Sequence, residues 1–221
     1  MAAACVRSGR DPGSAELVAV SKTVPVERLR LAQAGGYDLF GENRVQEAAG
    51  KIPGLGPATW HLVGHLQKNK ASRAIELFDV IDSVDSLALA ARLDRLVGER
   101  GSRSGGLLPV YLQVNVDEDP AKAGFPPDVL ERELAEVLGL PNLEIRGLMT
   151  VGFFTGGGEE ARPTFARLRE LGERLRALDP RLGPGLSMGM TDDYEVAIEE
   201  GSTLVRVGRA LFGERPAPAQ T

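Results

Sequence analysis

Apolar positions along this chain come in short runs, separated by segments whose apolar residues recur three and four apart. The first run, residues 17–20, ends at Ser21-Lys22. Residues 26–34 follow with helical spacing at Leu29, Leu31 and Ala32, and Gly35-Gly36 stops them. The alternation then repeats. Strands are predicted at 38–40, 59–63, 80–83, 108–116, 143–149, 186–188 and 204–207, and helices at 44–49, 69–77, 86–100, 127–138, 161–178 and 193–200. The valine-rich, alternating segment 108–116 is the clearest strand. Eight strands with seven helices between them imply parallel pairing through right-handed crossovers. Eight such units close into a single (β/α)8 TIM-type barrel, and 221 residues suffice for one. Only residues 1–15 precede the first strand, and several are Gly or Pro, so the N-terminal helix is expected to be short or absent. The chain divides into a short N-terminal segment, 1–15, a barrel, 16–213, and a tail, 214–221.

Composition narrows the partners. The chain is 43% hydrophobic and 26% charged, with a formal net charge of −5 and no block of like charges. That balance argues against nucleic acid or an anionic membrane as the main partner. One cysteine, Cys5, allows no intrachain disulfide, which suits a reducing cytoplasm. The opening residues are interrupted by Arg7, Arg10 and Asp11 too soon for a signal peptide, and no apolar run approaches the roughly 18 residues of a membrane span. A cytoplasmic location is expected.

In barrels of this type the chemistry sits at the C-terminal ends of the strands. Of the five lysines, Lys22, Lys51, Lys68, Lys70 and Lys122, only Lys22 directly ends an apolar strand. A partly desolvated strand-end lysine has a lowered pKa and serves as a neutral nucleophile toward an aldehyde; the alternative is a surface lysine whose head reaches solvent. Two glycine-containing loops follow the last strands: Ser187-Met188-Gly189-Met190-Thr191, and Gly208-Arg209 through Gly213. Gly189 and Gly208 permit close approach of backbone N–H groups to an anion, with Arg206 and Arg209 nearby. By alternation Arg206 and Gly208 share one face of the last strand, and Val205 and Val207 the other. Strands one and eight are neighbours in a closed barrel, so lysine and phosphate cradle lie close together. A ligand with an aldehyde at one end and a phosphate at the other satisfies both, and pyridoxal 5′-phosphate is such a ligand. His61 and His65 have a four-residue metal spacing, but on a strand with no third ligand evident, so no metal is expected. Asn43 and His65 are candidates to face the ligand.

These motifs together resemble the pyridoxal-phosphate homeostasis proteins. The match runs through Ala19-Val20-Ser21-Lys22-Thr23, Phe40-Gly41-Glu42-Asn43-Arg44-Val45-Gln46-Glu47, the segment Trp60 to Lys70, Gly147-Leu148-Met149-Thr150, Leu186 to Asp193, and Arg206 to Gly213. The resemblance implies an alanine-racemase-like barrel holding pyridoxal phosphate as a Schiff base on Lys22. It implies phosphate contacts from Ser187, Met188, Gly189 and Met190, and from Arg206, Gly208 and Arg209, with Arg206 serving either the phosphate or the pyridine nitrogen. It places Asn43 and His65 near the cofactor. Where the family often has a lysine-rich stretch after strand five, this chain has Lys122 alone.

The resemblance also implies a carrier that buffers or delivers pyridoxal phosphate, in transient contact with apoenzymes, without catalysis of its own; a monomer is expected. A racemase or decarboxylase is the first alternative. The related barrel enzymes add a β-rich second domain, for which no room is expected after Gly213, and Tyr37, Tyr111 and Tyr194 supply no obvious base. The second alternative is a cofactor-free Schiff-base lyase using Lys22 on a sugar phosphate.

Overall fold

In the computed structural model, eight parallel strands pair in chain order and β8 closes on β1. They are β1 (Glu16–Val20), β2 (Leu39–Glu42), β3 (Thr59–Leu62), β4 (Val80–Val84), β5 (Leu108–Gln113), β6 (Leu143–Met149), β7 (Gly185–Ser187) and β8 (Leu204–Val207). The helices are α1 (Ala2–Arg7), α2 (Val26–Ala34), α3 (Val45–Lys51), α4 (Ala71–Leu77), α5 (Leu87–Arg100), α6 (Pro127–Leu138), α7 (Arg162–Leu178), α8 (Tyr194–Glu199) and α9 (Arg209–Phe212). The structure describes residues 1–103, 105–152 and 158–213. The 214–221 tail, and Phe153, which follows the sixth strand in the sequence, lie outside the described residues.

Strand alternation sorts side chains into two cores. Phe40, Trp60, Leu62, Ile81, Leu112 and Leu148 point outward and are covered by helix residues such as Leu29, Ile75, Leu93, Leu134 and Leu168. Val18, Val20, Val80, Tyr111, Met149 and Leu204 form a separate cluster on the inward positions, filling the barrel as expected of a closed sheet of this size. Helix α6 shows how sequence produces the covering layer. Pro127 starts it, Leu130, Leu134 and Val137 bury one stripe, and Gly139 follows its last residue. Helix α5 begins at Ser86, whose hydroxyl accepts the Leu89 N–H at 3.3 Å, and ends at Gly101 with φ of 78°.

Two strand ends, those of β2 and β5, differ from expectation by more than one residue. The second strand extends through Gly41 and Glu42, which lie opposite His61 and Leu62. A Cβ on Gly41 would sit 2.6 Å from Val18 Cγ1, so this glycine is an inward strand position with no space for a side chain, not a turn. The fifth strand ends at Gln113 because the Asn115 N–H turns to the Phe125 carbonyl at 3.0 Å.

Helix α1 is short but present. Ala4 and Cys5 are buried against Ile198, Val205 and Val207 on the outside of β8. Arg7 pairs with Glu195 and Glu199, at 2.7 and 2.8 Å, and Arg10 donates to the Ile198 and Ser202 carbonyls at 2.7 and 2.9 Å. The barrel therefore closes with its outer wall covered at β8. Among the described residues no helix is long and apolar enough to cross a membrane.

Candidate functional site

The C-terminal ends of the strands carry most of the polar groups that lack a role in the two cores. β1 stops at a tight turn: Ser21 donates its N–H to the Gly41 carbonyl at 2.8 Å, and Val24 donates back to the Ser21 carbonyl at 2.9 Å. Lys22 is half-buried at the tip of this turn. It lines a cavity of about 140 Å³ between the turn and the β8–α9 connection, with Thr23, Arg28, Gly208, Arg209 and Phe212. Thr23 has φ of 64°, uncommon for any residue with a side chain and costly for a β-branched one.

Beneath the turn lies a charged cluster. Lys51, on α3, donates to Glu42, to Glu47 and to the Ser21 carbonyl, each at 2.7 Å. The Ser21 hydroxyl donates to Glu42 at 2.6 Å, and the Thr23 N–H to Glu47 at 2.5 Å. Glu42 is fully buried, and one of its carboxylate oxygens, Oε2, has no partner. Burial pushes the Glu42 carboxyl up, against the pull of Lys51 and Ser21. Burial also pushes Glu47 up, but Lys51 and the Thr23 N–H together outweigh it and hold that carboxyl below its ordinary range. Sequence reasoning did not single out Glu47 or Lys51. Glu47 closes the Phe40 to Glu47 motif without a role read for it, and the i,i+4 spacing of the pair is commonplace on a helix.

Across the cavity, Gly208 packs so closely on β1 that a Cβ would lie 3.0 Å from the Val20 carbonyl. In the β7–α8 loop, Gly189 has φ of 95°, and a Cβ there would lie 2.5 Å from the Ala197 methyl. The Gly189 carbonyl accepts the Arg206 N–H at 2.9 Å, tying this loop to β8. The Met190 N–H is held at 2.5 Å by Asp193, whose carboxyl is pushed up by burial against the pull of that N–H and of Arg206. Arg209 is exposed and pairs with Asp192.

Arg206 points inward, as alternation predicts. Its guanidinium donates to Ser187 Oγ and to the Thr150 carbonyl, both at 2.8 Å. The Ser187 hydroxyl in turn donates to Asp82 at 2.8 Å, and the other Asp82 oxygen meets His61 Nδ1 at 2.7 Å. The chain of contacts joins β3, β4, β7 and β8 through the lumen. It gives His61 a carboxylate partner, and no metal-holding group of His, Cys, Asp and Glu occurs among the described residues. Burial holds the Arg206 pKa below its ordinary value, opposed by the charges of Asp82 and Asp193.

The Met188 side chain is wholly buried in the outer core, its N–H donates to the Leu204 carbonyl and its carbonyl accepts from the Ser202 hydroxyl. Alternation along β7 sends the residue after Ser187 outward. Asn43 is half-buried beside Gly64, where a Cβ would lie 2.3 Å from the Asn43 carbonyl. His65 is 58% exposed and pairs with Asp85 at 3.0 Å. Lys122 reaches Asp117 at 3.0 Å and the Val151 carbonyl at 3.2 Å.

Residues 4–216 match the family model of the alanine racemase N-terminal domain. The chain is 46% identical over 219 residues to the pyridoxal phosphate homeostasis protein of Pseudomonas aeruginosa, covering 96% of this chain and 90% of the relative. It is 40% identical to the protein of the same name from Aquifex aeolicus, covering 96% and 92%. Among solved structures it is similar to PipY of Synechococcus elongatus with pyridoxal phosphate bound, at a TM-score of 0.84 and 44% identity, covering 96% of this chain and 98% of that one. An alanine racemase of Clostridium difficile shares the fold at a TM-score of 0.72 and 16% identity, with 52% of its length matched. By its family model, its full-length relatives and its closed barrel, the chain belongs to the alanine racemase N-terminal domain family and, within it, to the pyridoxal phosphate homeostasis proteins.

Proposed function

We propose that this protein binds pyridoxal 5′-phosphate as a Schiff base on Lys22 and serves its homeostasis as a carrier, without catalysis of its own. The observation that carries the reading is that Lys22 and the Gly208-Arg209 segment line one cavity. When bound, the cofactor supplies an aldehyde for the lysine amine and a phosphate dianion for the glycine loops. The Gly208 backbone and the Gly189-Met190 loop form the phosphate side, with Arg209 adding charge at the rim. Ser187 and Arg206 brace the floor from the lumen, Met188 anchors the loop from the outer core, and Asn43 and His65 flank the mouth. The cofactor-bound PipY structure and the names of the relatives support this reading.

The carrier role is supported by the names of the relatives, pyridoxal phosphate homeostasis proteins. The reading makes the protein a cytoplasmic monomer that meets apoenzymes transiently. The test is the visible spectrum of pure protein with added pyridoxal phosphate, beside Lys22→Ala, each treated with borohydride and mapped by peptide. A visible band, and an adduct on Lys22 that the variant lacks, are expected, with no turnover of amino acids. An unchanged adduct in the variant would overturn the anchor; sustained racemisation or decarboxylation would overturn the carrier role.

A further inference from the structure

The Lys51–Glu42–Glu47 cluster does nothing in the reading above, and its cost calls for a role. Placing three ionisable side chains together with little exposure is unfavourable unless geometry and hydrogen bonding compensate, and such a group is a weak source of stability. Here the compensation is incomplete, since Glu42 Oε2 is buried without a partner. Among the described residues, the side-chain hydrogen bonds that the cluster makes outside itself all go to one place. They end on the Ser21 carbonyl, the Ser21 hydroxyl and the Thr23 N–H, the backbone and side-chain groups on either side of Lys22. Thr23 is the residue held at φ of 64°, and Glu47 accepts its N–H. A left-handed β-branched residue persists only where its surroundings over-determine it, and such positions concentrate at functional sites.

We infer that Lys51, with Glu42 and Glu47, is a positioning device that fixes the Lys22 turn so that the Lys22 amine is presented to an aldehyde. The inference rests on the reading of Lys22 as the Schiff-base residue. Lys51 does not touch the ligand. It reaches Lys22 only through the main chain, from the outer side of the sheet, with Glu42 on the outward face of β2 and Glu47 one helical turn before it on α3. The three residues join α3, β2 and the β1 turn, so the angle at which Lys22 leaves its strand is set by the packing of two neighbouring elements. In its absence, the turn relaxes toward an ordinary φ at Thr23, and the amine is offered over a wider set of directions. Aldehyde capture, which needs the amine at one position, weakens, while phosphate binding on the opposite wall does not.

The experiment compares wild type, Lys51→Met, Lys51→Arg and Glu47→Gln as full chains. Each is titrated with pyridoxal phosphate and with pyridoxine 5′-phosphate, which keeps ring and phosphate but has no aldehyde. Borohydride trapping locates the adduct, and circular dichroism reports folding. Lys51→Met is expected to weaken pyridoxal phosphate binding about tenfold or more, the scale of one charge-assisted hydrogen bond, and to change pyridoxine phosphate binding less than about twofold. Lys51→Arg should recover most of the loss. Glu47→Gln, half-buried and easily tolerated, should show the same split more weakly, and it decides the matter if Lys51→Met does not fold. Equal weakening of both ligands, or no weakening of either, with the wild-type adduct on Lys22 intact, overturns the positioning role alone. A wild type with no trapped adduct on Lys22 overturns the parent reading and this one with it.

Discussion

Gly64 shows what a single residue contributes to the mouth of the barrel. The segment after β3 crosses the segment after β2 so closely that a Cβ on Gly64 would lie 2.3 Å from the Asn43 carbonyl and 2.8 Å from its Cα. The obstacle is backbone, which does not swing aside as a side chain does. Gly64→Ala is therefore expected to destabilise the protein by about 2 kcal/mol or more. It should also displace Asn43 and weaken pyridoxal phosphate binding at a site it does not itself touch. Urea unfolding and a binding titration check this, and a variant with wild-type values for both would show that the crossing has slack. The motif containing Gly64 was legible in the sequence, but the reason for the glycine was not, because the contact joins loops that follow different strands. The same holds for Lys51. Its role depends on α3 packing beside the end of β1, a tertiary fact that no local pattern encodes. The place of Lys22 just beyond the end of β1 is legible because its signal is local: it is the lysine that directly follows an apolar strand.

At the scale of elements, the strands were read from alternation and the helices from apolar spacing, and errors fell where these signals conflict with packing. Gly41 falls just past the expected strand 38–40 and is a strand residue, because the lumen at that level has no room for a side chain. Residues 114–116 looked like strand because Val114 and Val116 are apolar. They are indeed buried, but in a loop whose hydrogen bonds go to Phe125 and Met149. Helix α1 was the least certain element, and the structure explains why six residues suffice. Its few buried side chains are supplemented by charged contacts to α8, and Arg10 holds the Ile198 and Ser202 carbonyls just beyond it. These carbonyls belong to the end of α8 and its exit turn, so losing the guanidinium leaves them to water or unpaired. Arg10→Ala is expected to cost about 1.5–3 kcal/mol, the range for hydrogen bonds to a charged group. The loss should be accompanied by faster amide exchange in α1 and α8. Unchanged exchange there would mean that α1 is held by Ala4 and Cys5 alone.

Over the whole molecule, the lumen is divided across its width. Arg206, Ser187, Asp82 and His61 form a polar string on one side, and Val18, Val20 and Met149 run beside it at the same levels, in the apolar cluster that contains Tyr111 at its lower end. Tyr111 lines a groove at the base of the barrel with Leu107, Gly183, Gly185 and Thr203. Its ring plugs the lumen from below, and its phenol is pushed up to about 12, first by burial and then by the negative charge of Asp82 above it. The ordinary value is 10.0, so the folded protein resists ionisation that the unfolded chain allows. The sign follows from linkage. The contribution is fully present below the unfolded pKa of about 10 and is lost as pH rises toward the folded value of about 12, amounting to roughly 2–3 kcal/mol for a shift of this size. Other groups also titrate in that range, so the informative comparison is with Tyr111→Phe, which keeps the ring and removes the ionisable group. Urea midpoints taken at about pH 9 and about pH 11 should fall further for wild type than for the variant. Equal slopes would mean that the phenol reaches solvent when it ionises and that the base of the barrel opens without unfolding. Because Tyr111 lines the groove at the base and not the cavity with Lys22, Tyr111→Phe should leave pyridoxal phosphate binding unchanged at neutral pH. A loss of binding would instead show that Asp82 transmits the state of the lower lumen to Arg206.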